Sequence, residues 1–307
     1  MSATGTAAIV GAVVLLIPEP PMFPSSASPR ARHPAPTAPA VHGAHGAHGA
    51  HSARPSKRRP RRLRRLAVFV AGLAATMARG ADLPGALLAS DDFRHGTGAW
   101  RIEQQSADTR IRAADGELDL VAPAGLTLWY REPFAGDYEI QLTATPLKAS
   151  FPGLPDRVSD LNLFWNATTA EGGDPGARRA DGALASYDAL RLYYLGFGAN
   201  GNRSTRLRRY DGSAARPQVA GYAEPSLATA DDQFGAPPAF ARLKDGVAVR
   251  LRIQSRAAPG DTAELRVFAD DRLVFAWTDP APYRHGWLAL RTTASHLRIK
   301  DFRVLRL

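Results

Sequence analysis

From Ser90 to Leu307 no segment sustains the i, i+3, i+4, i+7 spacing of an amphipathic helix. Short runs that alternate apolar and polar residues recur instead, separated by clusters of Gly, Pro and Asp, which is the pattern of strands buried on one face. Eleven such runs stand out: Glu117–Val121, Thr127–Glu132, Tyr138–Pro146, Val158–Ala167, Ala189–Phe197, Thr205–Tyr210, Val247–Ser255, Ala263–Phe268, Arg272–Trp277, Gly286–Thr292 and Leu297–Leu307. The runs 264–268 and 273–277 flank Ala269-Asp270-Asp271-Arg272, a hairpin signal. Short turns between neighbouring strands imply antiparallel pairing, and so many strands exceed one open sheet. The sequence therefore predicts an all-β, two-sheet antiparallel β-sandwich over residues 90–307.

The charge of the chain is misleading until it is placed. The formal net charge is +10, which would suit a nucleic-acid or membrane partner. Residues 1–81, however, hold eleven of the 39 Lys and Arg and only one of the 29 Asp and Glu, leaving 28 of each sign in 82–307. The sandwich is neutral, and nucleic acid is not an expected partner. The chain has no cysteine, which excludes disulfide frameworks and thiol chemistry.

The leader divides in two. Residues 1–56 read as a disordered low-complexity leader: 18–56 are rich in Pro, Ala, Ser and His, with His-Gly-Ala repeats from His42 to His51, a composition that cannot bury a core. Residues 57–81 read as a signal peptide. The basic stretch Lys57–Arg65 precedes the apolar run Leu66–Ala75, and small residues follow around Ala78-Arg79-Gly80-Ala81. That run falls short of the about 20 residues a membrane helix needs, so no stable span is expected after cleavage. A signal peptide normally opens a chain, so the expectation is that translation starts near residue 57 and that the mature, secreted or periplasmic protein begins near Ala81.

Side-chain alternation points to a working face. On the 158–167 run, Val158, Asp160, Asn162, Phe164 and Asn166 share one face, while Ser159, Leu161, Leu163, Trp165 and Ala167 read as core. On the next two runs Arg191, Tyr193 and Leu195, then Arg206, Arg208 and Tyr210, share faces. Arg291 follows on the face of Trp287 and Ala289. Aromatic rings, guanidinium groups and amides on neighbouring strands suit a polysaccharide or oligosaccharide, whose C–H faces stack on rings while hydroxyls and carboxylates take polar partners. A hydrolytic carboxylate pair is less well supported. Asp156 and Asp160 stand about 13 Å apart if extended, beyond the roughly 5–10 Å that such pairs need.

Three stretches then resemble a known family. They are Asp156–Trp165, Tyr193–Tyr210 with its Gly196-Phe197-Gly198-Ala199-Asn200-Gly201-Asn202 turn, and Asp279–Trp287 continuing to Arg291–His296. Together they look like the secreted bacterial domain family of unknown function numbered 6250. Ala199 and Arg203-Ser204 depart mildly from its pattern. The resemblance implies a concanavalin-like jelly roll, in which Ser90–Phe93 and Asp301–Leu305 would pair at one edge. It also implies a link to polysaccharide breakdown. Jelly-roll enzymes that cleave uronate polymers use a Tyr or His base and Arg with Asn or Gln to neutralise the carboxylate. By that analogy Tyr193, Tyr210 or His296 is the candidate base, Arg157, Arg206, Arg208 and Arg291 neutralise charge, and Asn162, Asn200 or Asn202 assist, with Asp160 binding substrate. A non-catalytic lectin-like module is the alternative. No cofactor is expected. A structural calcium is compatible with the fold, with Asp91, Asp92, Asp231 and Asp232 available but unassigned.

Overall fold

The computed structural model describes residues 83–148, 154–178, 180–224 and 234–307. The expected leader, its signal peptide, and Asp231 and Asp232 lie outside them. Among the described residues sixteen strands follow in order: β1 Leu87–Asp91, β2 Trp100–Gln104, β3 Arg110–Ala114, β4 Glu117–Ala122, β5 Leu126–Tyr130, β6 Phe134–Ala135, β7 Tyr138–Leu147 and β8 Leu161–Thr168, then β9 Arg191–Gly198, β10 Ser204–Asp211, β11 Gln218–Ala220, β12 Val249–Ala258, β13 Thr262–Ala269, β14 Arg272–Asp279, β15 His285–Thr292 and β16 Ser295–Arg306. They form two eight-stranded sheets. The first runs β14-β13-β12-β7-β16-β4-β3 with β1 also on β16; the second runs β11-β10-β9-β8-β15-β5-β2 with β6 also on β15.

Every strand pairing among the described residues is antiparallel, as the short turns required. The β13–β14 turn puts both Asp270 and Asp271 at positive φ, the backbone that matches a tight hairpin to strand twist. The domain's two ends meet as expected, with Ser90 opposite Arg303 and Asp91 opposite Phe302. Asp91 accepts hydrogen bonds from the Phe93 amide and the Trp100 indole, and Asp92 from the Arg94 amide. Asp91 and Asp92 thus act as turn acceptors, and among the described residues no three His, Cys, Asp or Glu side chains converge.

The core lies between the sheets. Ile140, Leu142, Leu251, Ile253, Leu297 and Ile299 meet Leu161, Leu163, Trp165, Tyr193, Leu195, Leu288 and Leu290 there. A second apolar layer covers part of the other face of the second sheet. It holds Trp129, Phe164, Tyr187, Leu190, Leu192, Tyr194, Tyr210 and Ala289. β8 is buried along its whole length as a result. A strand covered on both faces loses the clean polar side that would show which way it points.

One irregularity sets the far end of β8. Asn166 takes φ 49°, and the register against β9 shifts between Trp165 and Thr168. The bulge turns Asn166 inward, where it accepts from the Tyr138 hydroxyl and donates to the Tyr283 carbonyl at 2.7 Å. Ala167 consequently joins the outer layer. Both placements reverse the strict alternation expected for this strand, because a bulge inserts one residue into the count. Opposite the bulge, Gly286 has φ 145°, and a β-carbon there would lie 2.5–2.6 Å from the Asn166 and Ala167 backbone. Gly286→Ala is expected to destabilise the fold by about 1–3 kcal/mol through overpacking and backbone strain. Urea denaturation measures it, and an unchanged midpoint would show that the bulge relaxes freely.

Candidate functional site

Cross-strand register assembles the site. On adjacent strands, residues directly opposite share a face. Reading across the second sheet, Glu103 faces Thr127, Thr127 faces Arg291, Arg291 faces Asn162, Asn162 faces Gly196 and Gly196 faces Arg206. The neighbouring row runs Arg101, Trp129, Ala289, Phe164, Tyr194 and Arg208. Both rows sit on the face away from the inter-sheet core. One is largely polar and the other largely aromatic. Arg291, Asn162, Gly196 and Arg206 of the first row and Tyr194 and Arg208 of the second line a cleft of about 690 Å³.

The cleft is strongly cationic. Arg157, Arg203, Arg206, Arg208, Arg216 and Arg291 line it, against a single carboxylate, Asp160, among its described lining residues. Arg216 is held by Asp188 at 2.5 Å, and Arg208 donates to the Arg216 carbonyl. Arg291 is 4% exposed, and its Nη1 donates to Thr127 Oγ1 and the Gly182 carbonyl, both at 2.7 Å. Burial pushes its pKa down, while the hydroxyl-bearing rings of Tyr187, Tyr194 and Tyr210 and the Asp160 carboxyl oppose that shift.

Asp160 takes φ 61°, a backbone that Asp tolerates, and its amide donates to the Gly198 carbonyl at 3.0 Å. Ser159 donates to its carboxylate, as does Asn162 Nδ2 at 3.3 Å. Burial raises its pKa above the ordinary carboxylate value; the Ser159 and Asn162 hydrogen bonds and the Arg157 and Arg291 charges pull it back. Asn162 is 2% exposed, and its Oδ1 has no hydrogen-bond partner among the described residues. The Tyr210 hydroxyl is buried without one as well, and burial pushes its pKa up to about 12 against the opposing charges of Arg216 and Arg208.

Gly196 is a requirement of this floor. A β-carbon there would meet the Tyr194 hydroxyl at 2.8 Å, so the missing side chain lets the Tyr194 ring lie along the sheet with its hydroxyl at the polar row. Burial raises the Tyr194 pKa, Tyr210 and Asp160 raise it further, and Arg291 and Arg208 oppose.

The structure brings together Arg157, Asp160, Asn162, Asn200, Arg206, Arg208, Tyr210 and Arg291. Three expected residues fall elsewhere. Tyr193 points into the inter-sheet core, where its hydroxyl donates to Asp279 at 2.6 Å and accepts from the Tyr283 amide. Alternation paired it correctly with Leu195, but both sides of β9 are apolar enough to read as either face. Its position opposite Trp165 decides the matter. His296 lies on the first sheet, 3.0 Å from Asp119 on β4. Only two residues separate β15 from β16, yet that turn crosses from one sheet to the other. Asn202 brackets the Leu243 backbone, donating to its carbonyl and accepting from its amide.

Tyr194, Gly196, Gln105 and Arg216 were not expected at the site. Tyr194 and Gly196 follow once β9 is registered against β8, whereas Gln105 and Arg216 arrive from loops that no sequence period marks.

This is a jelly-roll β-sandwich with an arginine-rich cleft on the outward face of its second sheet. The chain belongs to the family described as Domain of unknown function (DUF6250), which matches residues 120–302. Its fold is similar to that of a protein of unknown function with a galectin-like fold from Bacillus subtilis. The two are 19% identical with a TM-score of 0.54 over 73% of this chain and 97% of that one. Lower scores relate it to the carbohydrate-binding module CBM66 from Bacillus subtilis, at 9% identity and TM-score 0.40 over 67% and 95% of the two chains. They also relate it to alginate lyase Aly36B, at 14% identity and TM-score 0.41 over 74% and 94%. No curated protein matches the sequence.

Two measurements test the site's construction. Tyr193→Phe should lower stability by about 1–3 kcal/mol by leaving buried Asp279 short of a donor, with ligand binding at the cleft unchanged. Lost binding at unchanged stability would return Tyr193 to the site. For Asp160 the folded pKa is raised above the unfolded value, so its protonated form favours the native state. Stability from this group is present below about 3.8 and is lost as pH rises through the raised folded value. Asp160→Asn should flatten that part of the stability–pH curve in urea titrations, and a curve that keeps its slope would assign the dependence elsewhere.

Proposed function

We propose that the protein is exported and acts on an acidic polysaccharide held in the cleft of its second sheet. The observation that carries this reading is the convergence of six arginines on a floor of tyrosine rings and amides, with one carboxylate among them. Guanidinium groups give charge-assisted, often bidentate bonds to carboxylates. The face of the Tyr194 ring that lines the cleft receives a sugar C–H surface. A cleft of one sign also concentrates a polyanion before contact, an effect that salt screens. The neutrality of residues 82–307 supports a local, built site rather than a generally basic surface.

A second reading, β-elimination, is favoured by the Tyr194 hydroxyl lying over Gly196 beside Asn162 and Arg208. There Tyr194 acts as its phenolate, the form that the Arg291 and Arg208 charges favour, and takes the proton from the carbon α to the uronate carboxylate. The electron pair forms a carbon–carbon double bond, the glycosidic C–O bond breaks, and the tyrosine passes the same proton to the leaving oxygen. Neutralising the carboxylate, a task for Arg291, lowers the pKa of that carbon acid.

Isothermal titration against polygalacturonate, alginate and neutral dextran separates the outcomes. The acidic polymers should bind, more weakly as salt rises, and Arg206→Gln or Arg208→Gln should each weaken binding by about three- to tenfold. Equal affinity for dextran would sink the reading. Accumulation of ultraviolet-absorbing unsaturated ends, abolished in Tyr194→Phe while binding persists, would establish cleavage, and binding without product would establish a lectin-like module.

A further inference from the structure

Resting on that reading of the cleft, we infer that its centre is a seat for a single uronic acid unit, with the ring carboxylate on Arg291 and an adjacent hydroxyl on Asn162. The protein thereby selects uronates over sulfated glycans. Arg291 and Asn162 are direct partners on β15 and β8, so their β-carbons stand about 4.5–5.5 Å apart on one face. The two side chains offer complementary chemistry. Arg291 is donor-only, and Thr127 and Gly182 occupy its Nη1. That anchoring fixes the plane of the guanidinium and leaves its other edge for an anion. Asn162 turns its Nδ2 to the Asp160 carboxylate, which leaves its Oδ1 as a buried acceptor without a donor.

A neutral sugar supplies a hydroxyl to Asn162 and leaves Arg291 without its anion. An inorganic anion does the reverse. A uronic acid carries both groups on one ring, and its carboxylate is planar and bonded directly to a ring carbon. The anionic oxygens and the neighbouring hydroxyl then lie close enough to meet side chains one strand apart. A sulfate ester is tetrahedral and set off the ring by a bridging oxygen. It is a poor fit beside two side chains that are only 4% and 2% exposed.

The test titrates the full chain with three sets of trisaccharides: galacturonate, mannuronate and glucuronate trimers; the same trimers with their carboxyls reduced to alcohols; and sulfated trimers of equal charge. At least one uronate trimer should bind, with its reduced form and the sulfated trimers each at least about tenfold weaker. Asn162→Leu should weaken the uronate by about fivefold and leave the sulfated trimers unchanged. If that variant does not fold, the three-way comparison on the native chain decides alone. Sulfated trimers that bind as tightly as uronates, or an Asn162→Leu variant with native uronate affinity, would overturn the seat and leave the acidic-polysaccharide reading standing. Failure of every anionic trimer and polymer to bind would remove both.

Discussion

Everything at this site depends on the register in which β8 is held between β9 and β15. A slip of one residue would send Asn162 into the core and Leu163 to the cleft, since side chains alternate with period two. Three features pin the register. The Leu161, Leu163 and Trp165 set fills the space between the sheets. The Asn166 bulge, seated against Gly286, fixes one end. At the other end Asp160 and Ser159 are tied to the turn after β9, through the Gly198 carbonyl and the Gly201 amide. The polar row from Glu103 to Arg206 is a consequence of that register. No single segment carries it, because its six positions come from six strands spread from β2 to β15.

The sandwich itself was legible in the sequence because strand alternation is local. The expected runs match the long, half-buried strands such as β7, β12 and β13 closely. The strands it did not show among its runs are short or lie at sheet edges: β1, β2, β3, β6 and β11. A segment such as Arg110-Ile111-Arg112-Ala113-Ala114 has too little apolar content to declare itself, and pairing with β4 makes it a strand. The site was legible only in part for a related reason. Alternation separates Tyr193 from Tyr194 but does not say which one faces the core when both faces of the sheet are covered. That choice belongs to pairing, which is a tertiary fact. His296 shows the same limit at a sheet-crossing turn.

Charge in the folded domain is segregated more than its neutral sum suggests. On the outward face of the first sheet, Arg252 meets Glu139, Arg298 meets Glu117 and Asp119, and Lys300 meets Glu117. The more exposed pairs of Arg298 and Lys300 add little stability each, but all of these pairs cancel one another's field. At the second sheet six arginines from strands and loops gather around one cleft, with one carboxylate among its described lining residues. The potential that attracts a polyanion is therefore built by position rather than by net charge.

The buried polar groups divide along the same line. Asp279 accepts from the Tyr193 hydroxyl, Arg209 Nε and the Ala281 amide. The buried face of Asn166 is likewise matched by Tyr138 and Tyr283. Such satisfied networks hold the sheets together and ask nothing of a ligand. The unmatched atoms are not confined to the cleft, since the Trp165 indole in the core is one of them. Yet Arg157 Nε, Asn162 Oδ1 and the Tyr210 hydroxyl are unmatched and all belong to residues that line it. An unmet buried donor or acceptor costs free energy in the free protein. Three in one cleft, among a surplus of guanidinium groups, form a cost that a hydroxylated anion is suited to relieve.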